Sequence, residues 1–593
     1  MKKISKKISL VEQTKTVSFV LKNSYLLIIM LPLFVYFPSI KNGFVYCDDD
    51  ILIIDNYSKL SNPYNIVKAF QTDAFFNNTS PYYRPLLNVS YIIDAQIANS
   101  SPGFYHFMNI NYHILCCLSL FWLLCLLGFK KEISLAGTLL LSVHPLMANA
   151  VYWIPARNDL LVTLFSLIFL NMSILWIQNR KPILMIAAIF AFAMAIFSKE
   201  SGIITPIVII LYLVLTKQLS IDKGKIIYFI LLLTISIFWF ILRSNAITLV
   251  SGSQVGPRFI LTNYPFPFEI ISKLFFPANI AVTPIYTPIY TGLGIILSIL
   301  ILTVFFKVKQ KSTWLFFLGT VWYFAFSLPN MLVRLDTSAN SYDYLPHRAY
   351  LPIIGLLIAI MSLLPPTFSL FNKKKTVVLF SIFLLYISLN SLYLSIKYSN
   401  PERFWNSSIS NNPDKAWFYY FLGRYYYKQK DYTKFEKHLR KAISLNNHQR
   451  FLYDLGMIYF TYKKNYDTAI ILFNQARATG FTDPEANSNY TRLFIESSQN
   501  YFAKGEYRKA ADRCQIAVNL EPLNAIASFN LGLYLMYCNE TEKAASLWRR
   551  SIILDPKLKE SYRNLYFYYL NNTNKKDSVE YYKYEFINKG GSF

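Results

Sequence analysis

Apolar runs long enough to cross a bilayer recur along the first two thirds of the chain and constrain its fold more than any other feature. A helix needs about 20 apolar residues to cross roughly 30 Å of hydrocarbon. Charged residues make up only 16% of the chain, against about 25% in soluble proteins. The sequence therefore predicts an all-α fold with a polytopic membrane bundle of about eleven spans, near residues 24–40, 107–128, 133–151, 159–178, 182–198, 201–216, 226–242, 291–306, 313–329, 350–364 and 376–396.

The basic connections between these runs predict which side each one faces. They alternate with connections poor in Lys, and they are Lys130–Lys131, 179–181, 217–225, 307–311 and 373–375. All five are cytoplasmic by the positive-inside rule if the N-terminus is cytoplasmic. The apolar run after residues 1–23 lacks a small-residue cleavage site, so we expect a basic cytoplasmic N-terminus followed by a retained anchor. Much of the Lys and Arg behind the formal charge of +26 lies in short clusters between apolar runs, which argues against a nucleic-acid partner.

An odd number of spans places the chain after residue 397 on the non-cytoplasmic side. Three long connections lie on the same side, at 43–105, 244–290 and 330–349. We therefore expect a transmembrane domain over 24–397 and an extracytoplasmic domain over 398–593. The short loops favour a bacterial or archaeal inner membrane, and an endoplasmic reticulum membrane would show the same topology.

The last third of the chain is polar, aromatic and internally repetitive. A Leu-Gly motif occurs at Leu422–Gly423, Leu455–Gly456 and Leu531–Gly532, and a second signature ends at Pro522 and again at Pro556. The spacing is close to the 34-residue period of tetratricopeptide repeats, which are helix–turn–helix units that stack into a solenoid. The sequence therefore predicts a solenoid of about four to five repeats, with a degenerate last unit near 559–590.

The stretch Phe44 to Asp50, FVYCDDD, is the main candidate for chemistry. It follows the first apolar run and contains three adjacent carboxylates. Like charges this close raise one another's pKa unless a cation, a donor or water relieves them. A carboxylate at a membrane surface could take a proton from an acceptor hydroxyl when the activated donor is anchored in lipid. The alternative is a solvated acidic loop.

Other motifs that would indicate a soluble catalytic domain are missing from the sequence. The six cysteines lack the spacing of metal ligands or of a disulfide framework. There is no glycine-rich phosphate loop and no Ser-His-Asp order. With no sign of a soluble catalytic domain, any donor substrate should be one that the membrane helices themselves can reach.

Membrane spans followed by tetratricopeptide repeats resemble the transmembrane-and-tetratricopeptide (TMTC-like) glycosyltransferases of the C-type membrane fold. The local matches follow the expected order: FVYCDDDILIIDN at 44–56, YYRPLLNVSYIID at 82–94, YHFMNINYH at 105–113, HPLMANAVYWIPARNDLLV at 144–162, FSKESGI at 197–203 and YLPHRAYLPIIG at 344–355. The resemblance implies transfer of a sugar from a polyprenyl-phosphate donor to an acceptor on the non-cytoplasmic side. It also implies that the first outer loop holds the catalytic aspartate.

Carried onto this sequence, the Asp-Asp pair of the family falls on Asp48 and Asp49. One of the pair would be the general base, with Asp49 slightly preferred, and the other would orient it or help to bind a cation. Asp50 stands where relatives often have another residue. No cofactor is clearly implied, but a divalent cation such as Mg²⁺ or Mn²⁺ near Asp48 and Asp49 is consistent with the pair.

A donor phosphate also needs cationic side chains, because Arg binds phosphate bidentately and Lys supplies a point charge. Arg348 ranks first because it matches the Arg-x-Tyr-Leu-Pro segment of the family; alternatively it anchors the interface or pairs with Asp343. Lys199 and Glu200 match a Lys-Glu pair of the family and could equally form an ion pair between helices. The candidates on the outer side are Arg84, Arg157, Lys199, Arg243, Arg258 and Arg348.

Three polar residues, His106, Asn109 and His113, are spaced to share one helix face. Polar contacts between helices are the commoner use of such residues, and a metal site is the alternative. His106 is nearest the outer surface and is a candidate for substrate binding. His144, which precedes Pro145, is equally consistent with a catalytic or a structural role.

The sequence predicts an integral membrane glycosyltransferase that uses a polyprenyl-phosphate-linked sugar. Its acceptor would be a protein hydroxyl of Ser or Thr, presented by the groove of the repeats. Two alternatives remain: a transferase of the same fold that modifies lipid-linked or cell-surface glycan, and a membrane-anchored repeat scaffold without activity. The second is disfavoured because an anchor needs only one span.

Overall fold

The computed structural model describes residues 21–76, 80–220, 222–247, 254–278, 280–283, 286–334, 345–370, 374–481, 484–572 and 575–593. Within these ranges the chain is helical, apart from one short antiparallel pairing of Gln254–Val255 with Val333–Arg334. The chain divides into two compact units, Met1–Pro413 and Asp414–Phe593. The predicted all-α fold is confirmed.

In the described part of the first unit, six helices are long and apolar enough to cross a membrane. They are Ser24–Lys41, Pro102–Leu126, Ile154–Asn179, Lys223–Ala246, Pro288–Lys307 and Lys374–Lys397. A bent pair, Lys131–Ser142 and Pro145–Tyr152, turns by 55° and makes a seventh if it is one span. Each coincides with a predicted apolar run, so the chain is a multi-pass membrane protein.

The remaining four predicted runs also form helices, but these fall short in length or in mean hydropathy. They are Pro182–Ser198, Glu200–Leu215, Thr313–Met331 and Pro352–Met361. Two of these helices, Thr313–Met331 and Pro352–Met361, approach closely at Gly319 and Gly355, where an added Cβ on Gly319 would lie 2.5 Å from the carbonyl oxygen of Gly355. Small residues permit this approach of two backbones. The count of eleven spans stays a prediction.

The connections expected to be outer loops contain short helices where they are described. The first holds a π-helical turn, Asp50–Ile54, and the helices Tyr57–Leu60, Asn65–Ala69 and Pro85–Ala98. The others hold Pro257–Phe259, Ile260–Asn263, Pro265–Phe275 and Pro346–Ala349, and a further short turn is Ile154–Ala156. These elements pack against the membrane helices and bring polar side chains of distant segments together.

The boundary between the two units lies later than the predicted one at 397/398. The helix Pro401–Asn411 belongs to the first unit, because the ring of Phe404 lies 5.3 Å from that of Tyr398. The amide of Gly43 also donates to the carbonyl of Ser399 at 3.1 Å. These contacts connect the end of the last membrane helix to the acidic segment.

The second unit consists of five helix–turn–helix pairs, as the repeat pattern predicts. The pairs are Ala416–Lys428 with Tyr432–Leu445, Gln449–Thr461 with Tyr466–Ala478, Pro484–Ala503 with Tyr507–Leu520, Ala525–Tyr537 with Thr541–Leu554, and Lys559–Asn572 with Lys576–Asn588. Gly456 and Gly532 face the aromatic rings of Phe473 and Trp548, which an added Cβ would meet at 2.4 and 2.7 Å. In the pairs that carry the Leu-Gly motif, the second helix packs directly on the glycine, which leaves no room for a larger side chain.

Candidate active site

The acidic segment forms a tight turn that Asp49 holds in place. Tyr46 and Asp48 adopt left-handed backbone conformations, with φ of 57° and 66°. The buried carboxylate of Asp49 accepts hydrogen bonds from the amides of Val45 at 2.6 Å and Cys47 at 2.9 Å. A non-glycine residue tolerates positive φ best when it is Asp or Asn, and such strain concentrates at functional sites. The segment is therefore an ordered turn held by the Asp49 carboxylate rather than a freely solvated loop.

Asp48 is exposed at this turn, in contrast to Asp49. Its carboxylate makes no hydrogen bond or ion pair within the described part of the chain. Removal from water by the surrounding protein, followed by repulsion from Asp50, raises its pKa to about 6, although Arg84 acts in the opposite direction. Asp48 is therefore a solvent-accessible carboxylate whose ionisation the surrounding protein disfavours.

Burial raises the pKa of Asp49 to about 7, despite the two backbone donors that lower it. Repulsion from Asp50 and Asp48 adds to the rise. The two adjacent carboxylates thus differ in accessibility more than in proton affinity. The carboxylate of Asp49 is hydrogen-bonded to the backbone of its own turn, whereas Asp48 is exposed and could contact another molecule.

Two aromatic side chains connect this turn to a second polar cluster. The indole N–H of Trp153 donates to the carbonyl of Cys47 at 2.8 Å, immediately before Asp48. The ring of His347 lies 4.8 Å from that of Trp153. The Nε2 atom of His347 is 3.9 Å from the Oδ2 atom of Asp159. The chain of contacts leads from the acidic turn to the segment that contains Arg348.

The second polar cluster contains the carboxylates of Asp159 and Glu200, each of which contacts a cationic side chain. Lys199 Nζ donates to Asp159 Oδ1 at 2.6 Å. Arg84 Nε lies 3.4 Å from Glu200 Oε2, and the other oxygen of Glu200 accepts the amide of Tyr83 at 3.0 Å. Burial lowers the pKa of His347 well below its usual value, and the charges of Lys199, Arg348 and Arg84 lower it further. These three cations are therefore close enough to act on one buried imidazole.

The structure brings together six of the residues selected from the sequence. Asp48 and Asp49 belong to the acidic turn. The neighbouring polar cluster contains Arg84, Lys199, Glu200 and Arg348. Arg84 connects the two groups, because its charge also lowers the pKa of Asp48. Sequence reasoning missed Trp153 and His347. Both lie inside the motifs VYWIPARND and YLPHRAYLP, next to residues that were selected, and their aromatic character was the available signal.

Arg157 is placed differently, because its guanidinium is completely buried. It lies 2.6 Å from Asp94 Oδ2, and both side chains have no exposed surface. It also donates to Asn109 Oδ1 at 2.8 Å and to the carbonyl of Tyr105 at 3.0 Å, and it stacks on Tyr91. These contacts join three helices and leave no exposed surface for a substrate.

The three polar residues on the helix Pro102–Leu126 contact protein groups within the bundle. His106 Nε2 lies 3.5 Å from the carbonyl of Gly43. His113 contacts the hydroxyl of Tyr350 at 2.5 Å and the carbonyl of Ser142 at 2.7 Å. Among the described residues, no group of three or more His, Cys, Asp or Glu has the arrangement of a metal site. These contacts support polar packing between helices, and a divalent cation near Asp48 and Asp49 stays a prediction.

Three further candidates lie apart from the cluster or outside the described residues. His144 caps a helix: Nδ1 accepts the amide of Leu146 at 3.2 Å and Nε2 contacts the carbonyl of Leu274 at 3.1 Å. Arg258 is exposed and lies over the ring of Phe259 at 4.7 Å. Asp343, the suggested partner of Arg348, lies outside the described residues.

Comparison with known proteins finds one family model and several similar proteins. The model of the tetratricopeptide repeat family matches residues 496–558. The protein O-mannosyl-transferase TMTC3 of Mus musculus is 31% identical over 183 residues, which cover 28% of this chain and 19% of the relative. A protein O-mannosyl-transferase of Caenorhabditis elegans is 26% identical over 192 residues, or 30% and 26% of the two chains. This chain resembles the TMTC-like transferases.

The predicted resemblance to the TMTC-like transferases is thereby confirmed, and the aligned part spans about a fifth to a quarter of these relatives. Two solved structures are also similar. ArnT from Cupriavidus metallidurans bound to undecaprenyl phosphate is 12% identical, with 95% of this chain and 87% of that chain covered and a TM-score of 0.35. YrrB, a tetratricopeptide-repeat protein with an unusual peptide-binding site, is 19% identical, with 31% and 91% covered and a TM-score of 0.25. The fold assignment rests on the helices and repeats described above.

Proposed function

We propose that the chain is an integral membrane glycosyltransferase that moves a sugar from a polyprenyl-phosphate donor to a protein hydroxyl on the non-cytoplasmic side. The observation that carries the proposal is the exposed carboxylate of Asp48, held in a strained turn next to the cation Arg84. The name of the relatives, protein O-mannosyl-transferase, is the basis for a protein acceptor. The repeat unit would present that acceptor.

In this proposal Asp48 is the general base. The acceptor hydroxyl attacks the anomeric carbon of the sugar, its proton passes to a carboxylate oxygen of Asp48, and the bond from the anomeric carbon to the phosphate oxygen breaks. A pKa of about 6 leaves most of the Asp48 side chain ionised at neutral pH while retaining useful basicity. Asp49 has a positioning role, because both of its oxygens accept backbone amides of the turn.

The departing polyprenyl phosphate needs positive charge where its own negative charge develops. Arg84, Lys199 and Arg348 are the cations that would supply it. Asp159 and Glu200 bind Lys199 and Arg84 and so hold two of the three cations in fixed positions. Such preorganisation is favourable because little reorganisation is needed as the phosphate leaves.

The test is transfer from radiolabelled polyprenyl-phosphate mannose to a Ser/Thr-rich acceptor peptide by the purified full-length protein. Asp48→Asn should lower kcat by roughly a hundredfold or more, because the amide cannot accept the proton. Asn tolerates the same left-handed backbone, so the melting temperature should stay within a few degrees of wild type. Asp55→Asn is the matched control, since Asp55 is an exposed carboxylate of the same segment.

Wild-type kcat in Asp48→Asn would overturn the assignment of the base. Absence of transfer by the wild-type protein with mannosyl, glucosyl and galactosyl polyprenyl-phosphate donors would overturn the proposed reaction. Transfer to a lipid-linked glycan but not to any peptide would show that the acceptor is a glycan.

A further inference from the structure

A groove lies at the end of the membrane unit that is remote from Asp48. It has a volume of about 520 Å³ and is lined by Trp176, Arg180, Pro182, Met185, Asp222 and Gly224. The helix Arg157–Asn179 runs from the buried Arg157–Asp94 ion pair to this groove. At 1.5 Å per residue its 23 residues span about 35 Å, which is enough to cross the hydrocarbon core of about 30 Å. The groove therefore lies near the opposite surface of the bilayer from the acidic turn.

The floor of the groove is a fixed aromatic surface. The ring of Trp176 stacks on that of Tyr228 with centroids 4.8 Å apart. The guanidinium of Arg180 lies 5.4 Å from the Trp176 ring, and Arg180 caps the helix in a left-handed conformation with φ of 58°. A planar cation thus lies over a rigid aromatic side chain, and 46% of the Arg180 side chain is exposed.

The lining of the groove holds one cation, Arg180, and one carboxylate, Asp222. The two connections beside it, 179–181 and 217–225, contain five cations in total against that one carboxylate. Asp222 binds Arg180 at 2.9 Å and lies 3.4 Å from Lys225 Nζ, so one carboxylate is shared by two cations. Lys181 and Lys223 are exposed beside them. The local field therefore favours an anion.

Apolar helix faces continue from the groove along the membrane. Ile183 and Ile186 are exposed on the helix that begins at Pro182, and Ile226 and Ile230 are exposed on the helix that begins at Lys223. The positive ends of these two helices also meet at the groove, which adds to its affinity for a phosphate. A ligand with a phosphate head and two hydrocarbon chains matches both features.

We propose that this groove binds the headgroup of an anionic phospholipid, with its acyl chains along the exposed isoleucines. The phosphate would be held by Arg180 and by the ammonium groups of Lys181 and Lys223. The exposed Arg180–Asp222 pair contributes little stability and is readily exchanged. Asp222 would keep its bonds to Lys225, whose amide it accepts at 2.9 Å. This inference is independent of the proposed transferase activity.

The experiment measures lipid binding to the full-length protein by native mass spectrometry and by the melting temperature. The probes are phosphatidylglycerol, phosphatidylcholine with the same acyl chains, and inorganic phosphate. Wild type should retain phosphatidylglycerol preferentially and be stabilised by it. The double variant Arg180→Gln with Lys223→Gln should bind it roughly tenfold more weakly. The matched control is Lys307→Gln with Lys309→Gln, two exposed cations of another basic connection.

Equal binding of phosphatidylglycerol by the double variant and wild type would overturn the proposal. So would equal binding of the two lipids, or equal protection by inorganic phosphate, which would show a site for free anions. A photoactivatable phosphatidylglycerol on the wild-type protein gives a readout that does not depend on a variant. Its cross-links should fall within 176–186 and 222–230, and cross-links confined to other segments would contradict the assignment.

Discussion

Asp48 and Asp49 show how two identical neighbouring residues acquire different tasks. The left-handed backbone at Tyr46 and Asp48 turns one carboxylate outward and allows the other to accept the amides of Val45 and Cys47. The sequence places both residues at the site, but it cannot rank them, because their difference arises only from the turn. The preference for Asp49 as the base is therefore replaced by a proposal for Asp48.

The rate of transfer is expected to depend on the ionisation of Asp48. A general base acts in its anionic form, and the raised pKa of Asp48, about 6, means that protonation begins at higher pH than for an ordinary Asp. The value of kcat/KM should therefore rise with pH, with a midpoint near 6, and level off above about 7. A pH profile with a fixed donor concentration measures this. An acidic limb with a midpoint near the ordinary value of 3.8 would contradict it.

Trp153 is expected to affect the reaction through the position of Asp48. Trp153→Phe removes the indole bond to the carbonyl of Cys47 but keeps an aromatic ring beside His347. Misplacement of a reacting group lowers rate more than binding, so kcat should fall roughly tenfold while KM for the lipid donor stays nearly constant. Steady-state kinetics and melting temperatures measure the two effects.

The comparison variant is Trp322→Phe, which loses an indole bond to the carbonyl of Leu351 at 3.0 Å. It should lower the melting temperature and leave kcat unchanged. Replacement of Trp153 by β-(3-benzothienyl)alanine, which exchanges only the N–H for sulfur, separates the hydrogen bond from ring size. An unchanged kcat in this isostere would show that the bond does not position Asp48.

At the scale of elements, the buried pair of Arg157 and Asp94 connects three helices of the membrane unit. Arg157 begins one helix, Asp94 lies on Pro85–Ala98, and Asn109, which accepts a bond from Arg157, lies on Pro102–Leu126. The sequence predicted Arg157 as a phosphate ligand because charge at the end of a span usually faces a cavity. Its partner is distant in sequence, so only the folded arrangement shows that the charge is already neutralised.

Breaking this ion pair should lower the stability of the fold and leave the rate of transfer by folded molecules nearly unchanged. Asp94→Asn leaves the buried charge of Arg157 without its counter-ion, at a cost of about 3–5 kcal/mol. The melting temperature should fall steeply, whereas kcat per folded molecule at low temperature should be close to that of wild type. The double variant Asp94→Leu with Arg157→Met should recover much of the stability. Loss of kcat in that well-folded double variant would show that Arg157 takes part in the reaction.

The elements themselves were predictable to different degrees. The apolar runs mark the membrane helices well, because length and hydropathy suffice to find them. The helix Pro85–Ala98 was missed and treated as part of an outer loop. Its polar residues Asn88, Ser90 and Asp94 are all buried. Polar residues in a connection suggest a solvent-exposed loop, so the sequence did not indicate a buried helix here.

At the scale of the whole molecule, the two units follow from two different sequence signals. The repeats were predictable because a fixed period specifies a fixed packing, as Gly456 against Phe473 and Gly532 against Trp548 show. The division lies at 413/414, later than the predicted boundary at 397/398, because the polar helix Pro401–Asn411 packs against the end of the last membrane helix. Polarity alone does not reveal which core a helix joins.

Three of the long membrane helices have few protein neighbours. In Lys223–Ala246, Pro288–Lys307 and Lys374–Lys397, only 22%, 17% and 22% of the most apolar window is buried. Most of their apolar surface is therefore left for lipid to cover, and a change in hydrocarbon thickness would act on their tilt. Detergent extraction should loosen these three helices before the tightly packed helix Ile154–Asn179, of which 78% is buried. The host bilayer is thus a structural component of this protein, and its thickness is one of the variables that determine the conformation.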